Sequence, residues 1–133
     1  MDVLIDNEHL TVEAIRDRRV IVVRRKRTRL EASELVGAYR EALRASDEFR
    51  GWGLVIDTRE APGRNDPEFE SRIDSLRDSV DGLFPRVAMC LQTAAGELQA
   101  RRMQSERRET RPSTSETFFT RDIAEAVSHA AGD

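Results

Sequence analysis

Cysteine occurs once in the 133 residues, at Cys90, which excludes a disulfide within the chain. With only His9 and His129 beside it, there is no thiolate and imidazole spacing for a zinc cluster either. Aromatic residues make up 5% of the chain and none lies between Arg16 and Arg29, so its most basic stretch has no platform for stacking single-stranded nucleic acid. No apolar run approaches the ~18–20 residues of a membrane span. The opening MDVLIDNEHL lacks the basic flank and apolar core of a signal peptide, and a cytoplasmic location is the expectation. A phosphate-binding loop needs several glycines before a lysine, whereas APGRND has one glycine and no lysine. Lysine is nearly absent: of 22 basic residues only Lys26 is one, a bias that fits a GC-rich genome as well as a need for forked donors. No cofactor is expected.

What is present suits one folded domain spanning residues 1–133. Hydrophobic residues make up 38% and charged residues 35%, more charge than is usual but too many apolar residues, too regularly placed, for disorder. The net charge of −3 hides a segregated pattern. Residues 1–15 carry four acids and no base, and residues 16–29 carry eight bases against Asp17.

Leu10, Val12 and Ala14 alternate with Thr11 and Glu13, the period of a strand with one wet face. After a polar turn around Arg16 and Asp17, the β-branched run VIVV (Val20 to Val23) suits a strand buried on both faces, and the two predict a hairpin. Ala32, Leu35, Val36, Tyr39 and Leu43 recur at helical spacing between Glu31 and Phe49, with Gly51 as a stop signal. GLVID, ending at Asp57, reads as a third strand and TREAPGRND as a loop. Asp66 and Pro67 open a second helix as N-cap and first helical residue, with Phe69, Ile73, Leu76 and Val80 inward. VAMCL after Pro85 is a fourth strand, and TAAGELQARRMQSERRE a polar helix with Ala95, Leu98 and Met103 inward. RPSTSE reads as a loop, Phe118 and Phe119 as a short strand, and the last helix follows Asp122 with Ile123, Ala124, Val127 and Ala131 inward. The order β-β-α-β-α-β-α-β-α predicts an α/β domain with a mixed, mostly parallel five-stranded sheet wound sequentially, its first strand antiparallel.

This order, with VIDTREAPGRNDPEFE after the third strand and ETFFTRDIAEAVSHA at the end, resembles the STAS-like superfamily over residues 8–131. That superfamily includes the bacterial anti-sigma-factor antagonists and shares its fold with SEC14-type lipid-binding domains. The resemblance implies helices mainly on one face of the sheet. It also implies a small regulatory module that works by docking onto proteins, by dimerising or by sensing small ligands, and that is not an enzyme. In the antagonists a partner kinase phosphorylates a serine in a D-S-S-G-like motif at the start of the helix after the third strand. Here that region reads Asn65-Asp66-Pro67-Glu68, without such a motif.

The densest polar group expected on one rim of the sheet is Asp57, Arg59, Glu60, Arg64, Asn65 and Asp66, at the carboxyl end of GLVID and the start of the second helix. It reads either as a loop held by ion pairs and an N-cap, or as a docking site in which Asp66 replaces a phosphorylated serine with a permanent acid. The second candidate is the basic patch of Arg24, Arg25, Lys26, Arg27 and Arg29. Its readings are a solvated edge that discourages aggregation, a surface for an acidic protein and, least favoured, a nucleic-acid-binding surface, so nucleic acid is not the expected partner. Cys90 reads as a small core residue, Glu70 and Asp74 as a solvated helix face balanced by Arg72 and Arg77, and no catalytic residue or metal ligand is assigned. Because VIVV, LVI and VAMCL are apolar on both faces while the helices are expected on one, a homodimer is predicted to cover the other face, or else MDVLI folds across it.

Overall fold

Between Ile15 and Val20 the chain has room for a tight turn, and it takes one. The amide of Arg18 donates to the Ile15 carbonyl at 3.2 Å, and that of Arg19 to the Arg16 carbonyl at 3.4 Å. Arg19 adopts the left-handed conformation, φ 57°. The turn joins β2 (Leu10–Ile15) to β3 (Val20–Arg25) as an antiparallel hairpin, with Leu10 opposite Arg25 and Ile15 opposite Val20. The computed structural model describes residues 2–6, 8–27, 37, 47–60, 84–110 and 117–133.

Ahead of the hairpin lies β1 (Asp2–Asp6), and beyond it come β4 (Gly53–Asp57), β5 (Arg86–Cys90) and β6 (Thr117–Thr120). The six form one sheet in chain order, antiparallel across β1, β2 and β3 and parallel from β3 to β6. The α/β mixed sheet thus matches the expected class, but it has six strands rather than five. The added strand is DVLID, which pairs antiparallel with β2 instead of folding across a face. Three consecutive apolar residues between two acids carry too short a pattern to announce a strand, and pairing with the exposed side of β2 supplies what the pattern lacks.

Two helices are described in full: α1 (Ala94–Thr110) and α2 (Ile123–Ala131). Of the helix expected over 31–49, Gly37 is helical and Asp47–Phe49 is a 3-10 turn, while the remainder lies outside the described residues, as does the helix expected from Asp66. Asp122 caps α2 by accepting from the Ala124 amide at 2.8 Å, and Gly132 ends it at φ 87°.

Alternation along the strands sorts the apolar residues into two cores. Leu10, Val12, Ala14, Ile21, Val23, Leu54, Ile56 and Val87 meet Phe49 and Phe84 on one face. Val20, Val22, Val55, Ala88 and Cys90 meet Ala126 and Ala130 of α2 on the other. This is why VIVV is buried throughout. It also removes the premise of the expected dimer interface, because the face assigned to a second copy is covered over β4, β5 and β6 by the chain's own last helix. α2 packs on the side of Phe118, opposite the Phe119 face over which α1 places Arg101.

Two helix faces differ from expectation. On α1, Ala95 is exposed, Leu98 is 69% exposed and Met103 half-buried. The helix meets β6 instead through Arg101, which reaches the Phe119 carbonyl at 3.3 Å and lies 5.7 Å above its ring. On α2, Ala124 is exposed, and the inner stripe is Ile123, Ala126, Val127, Ala130 and Ala131. No helix among the described residues is long and apolar enough to cross a membrane.

Candidate functional site

Strand register builds the site. Arg24 is the last residue but one of β3 and stands opposite Asp57, the last of β4. Asp57 stands opposite Cys90, the last of β5, and Cys90 opposite Thr120, the last of β6. One row thus runs across the carboxyl ends of four parallel strands. It shares the face covered by α2, because Val20, Val22 and Arg24 alternate to the same side as Val55 and Asp57.

Asp57 is the centre of the row. Its side chain is 2% exposed, yet its carboxylate accepts four hydrogen bonds. Arg24 Nε donates at 3.0 Å. Arg59 donates through its backbone amide at 3.1 Å, through Nε at 3.0 Å and through Nη2 at 2.9 Å. Burial alone would raise the pKa of this carboxyl. The bonds from Arg59 and Arg24 outweigh burial and hold it below the ordinary carboxylate range. Arg59 is raised in turn, first by its hydrogen bonds to Asp57. Arg24 also lies 3.7 Å from Glu13 of β2.

The surroundings are equally committed. Thr58 donates to the Cys90 carbonyl through its amide at 3.0 Å and its hydroxyl at 3.1 Å, so the chain leaving β4 is stitched to β5. Thr120 accepts from the Asp122 amide at 3.1 Å and sets the entry to α2. The Cys90 thiol is fully buried, and burial pushes its pKa up, so it remains a neutral core group.

Of the residues expected at the rim, Asp57 and Arg59 are brought together and Glu60 lies exposed beside them, while Arg64, Asn65 and Asp66 fall outside the described residues. Among the described residues the basic patch does not form one surface. Arg24 joins Asp57, Arg25 is buried on the opposite face, Lys26 pairs with Asp6 at 2.6 Å and Arg27 is exposed, with Arg29 outside the described residues. Nor is it a solvated edge, since β3 runs between β2 and β4. The link from Arg24 to Asp57 had a signal in the sequence. Each residue lies two positions beyond a β-branched core residue, Val22 or Val55, in strands that prove to be adjacent and parallel.

Comparison with protein-family models, with curated proteins and with solved structures found no match to this chain.

Proposed function

We propose that this chain is a non-enzymatic regulatory module of STAS-like type that docks onto a protein partner through the rim at the carboxyl ends of β3 and β4. The observation carrying the reading is the Asp57 carboxylate, whose hydrogen bonds are all spent on Arg24 and Arg59. A general acid or base needs a carboxyl free to exchange a proton near the working pH. This one is locked in the ionised state and acts as a brace. Its two guanidiniums remain partly open to water, so the brace presents a fixed charged surface. Rigid charged groups favour recognition because little side-chain freedom remains to be lost on docking. In this reading the segment from Thr58 to Asp66 docks without phosphorylation, with Asp66 as a permanent acid. A second copy of the chain is a further proposed partner.

Pull-down from cell extract with wild type, Arg24→Ala, Arg59→Ala, Arg64→Ala and Asp66→Ser, each confirmed folded by circular dichroism, tests the surface. Loss of the same partner from the arginine variants is expected. Equal recovery by all five proteins would place docking elsewhere. Native mass spectrometry of protein purified from cells tests the class: a stoichiometric small molecule released on denaturation would replace the docking reading with ligand sensing.

A further inference from the structure

An open six-stranded sheet has two edges, and β1 forms one of them, with no strand beyond it among the described residues. Its sequence, Asp2-Val3-Leu4-Ile5-Asp6, has the same chemistry in both directions: acid, β-branched, leucine, β-branched, acid. An edge strand offers unpaired N–H and C=O groups, and charges along it ordinarily deter another strand. Here both acids are offset by bases just beyond the ends of β2 and β3. Asp2 is ion-paired with Arg16, and Asp6 with Lys26. Val3 is 59% exposed, one of two large apolar side chains so open to water among the described residues.

We infer that the β1 edge pairs antiparallel with β1 of a second copy about a two-fold axis at Leu4, joining two sheets edge to edge. This deepens the self-association proposed above and rests on it. Antiparallel self-pairing brings Val3 into register with Ile5 of the partner subunit and Leu4 into register with its own copy. Leu4 and Ile5 both turn to the core of Leu10 and Val12 while Val3 shares the Glu13 face, so the side chains that meet across the seam are the two Leu4. At each end of the seam an acid comes into register with an acid on the opposite face, and each already holds a base, so charges of both signs assemble there. A strand of unrelated sequence would not supply that match. Isologous pairing uses up the edge of both copies and closes at two. One feature of β1 opposes it. The pairing with β2 is irregular between Val3 and Ile5, leaving Leu4 without a β2 residue opposite, and distortions of this kind protect edges.

Sedimentation velocity on the full chain separates these outcomes, comparing wild type with Val3→Lys and with Leu98→Lys, an exposed control on α1. A short seam belongs at the weak end of interfaces, so the series runs to chain concentrations on the order of 0.1 mM. The expected result is a wild-type species at twice the 15.1 kDa chain mass, at least tenfold weaker association for Val3→Lys, and no change for Leu98→Lys. Val3→Lys replaces an exposed side chain, and circular dichroism confirms its fold. A wild-type dimer unweakened by Val3→Lys overturns the edge while self-association stands. Wild type at the chain mass throughout the series overturns both.

Discussion

A carboxylate excluded from water persists as an anion only where its neighbours replace the lost hydration, and at Asp57 two arginines do so. Because its folded pKa lies below that of the unfolded chain, about 3.9, ionised Asp57 stabilises the fold at pH values above about 4. The contribution drains away as pH falls through the folded value. Asp57→Asn keeps the shape and removes the charge. It is expected to lower unfolding free energy at pH 7 by about 2 kcal/mol, less than the ~3–5 kcal/mol of a fully buried pair because both guanidiniums reach water. Urea melts from pH 7 down to pH 3 should show the difference from wild type shrinking below about pH 4. A difference independent of pH would mean that packing, rather than charge, is what the carboxylate provides.

Gly53 meets a different constraint. A methyl group built on it would lie 1.8 Å from the Ala130 carbonyl oxygen, and that oxygen also accepts from Arg86 Nε at 2.9 Å. The obstacle is the backbone of α2, which has no rotamer to change. Gly53→Ala is therefore expected to destabilise the fold by about 3 kcal/mol or more, the upper range for overpacking, or to lift the end of α2 from the sheet. Thermal unfolding followed by circular dichroism measures it, and a melting temperature equal to that of wild type would show that α2 does not sit this close.

At the scale of elements, the hairpin, GLVID and VAMCL were legible because burial on one face or both writes an unmistakable apolar pattern along a strand. DVLID was not, since pairing rather than pattern makes it a strand. Nor was the inner face of α1, because Leu98 is apolar yet the helix meets β6 through the polar Arg101. Arg101 is further held by Glu97 one turn earlier, at 2.8 Å. The site was half legible for a related reason. Asp57 and Arg59 are neighbours in sequence, whereas Arg24 joins them only through the parallel register of β3 and β4. An exposed leucine contributes little to stability, so Leu98→Glu is expected to change unfolding free energy by less than about 0.5 kcal/mol, whereas a core leucine would lose several. A chemical-denaturation midpoint shifted by more than that range would show that Leu98 is buried in solution.

For the whole molecule, the two cores share the same strands, and this sets where the fold opens first. β3 and β4 are covered on both faces and hydrogen-bonded on both sides, so exposing their amides requires both cores to separate. Among the described residues β1 has a neighbour on one side only, and α1 rests on β6. Local openings draw on regions with few buried apolar contacts, and full protection belongs to strands that break only with the global fold. Hydrogen exchange at chain concentrations low enough to keep β1 unpaired should therefore find Val20–Val23 and Leu54–Ile56 exchanging slowest, at the rate set by global unfolding. Amides of β1 and of the exposed turns of α1 should exchange first and with little sensitivity to denaturant. The substitutions separate along the same line: Gly53→Ala, at the junction of β4 and α2, should speed exchange throughout the central strands, and Leu98→Glu should leave them unchanged. If the β4 amides exchanged as readily as those of β1, the two cores would be opening independently, and the docking rim built on β3 and β4 would lose the rigidity that its proposed role requires.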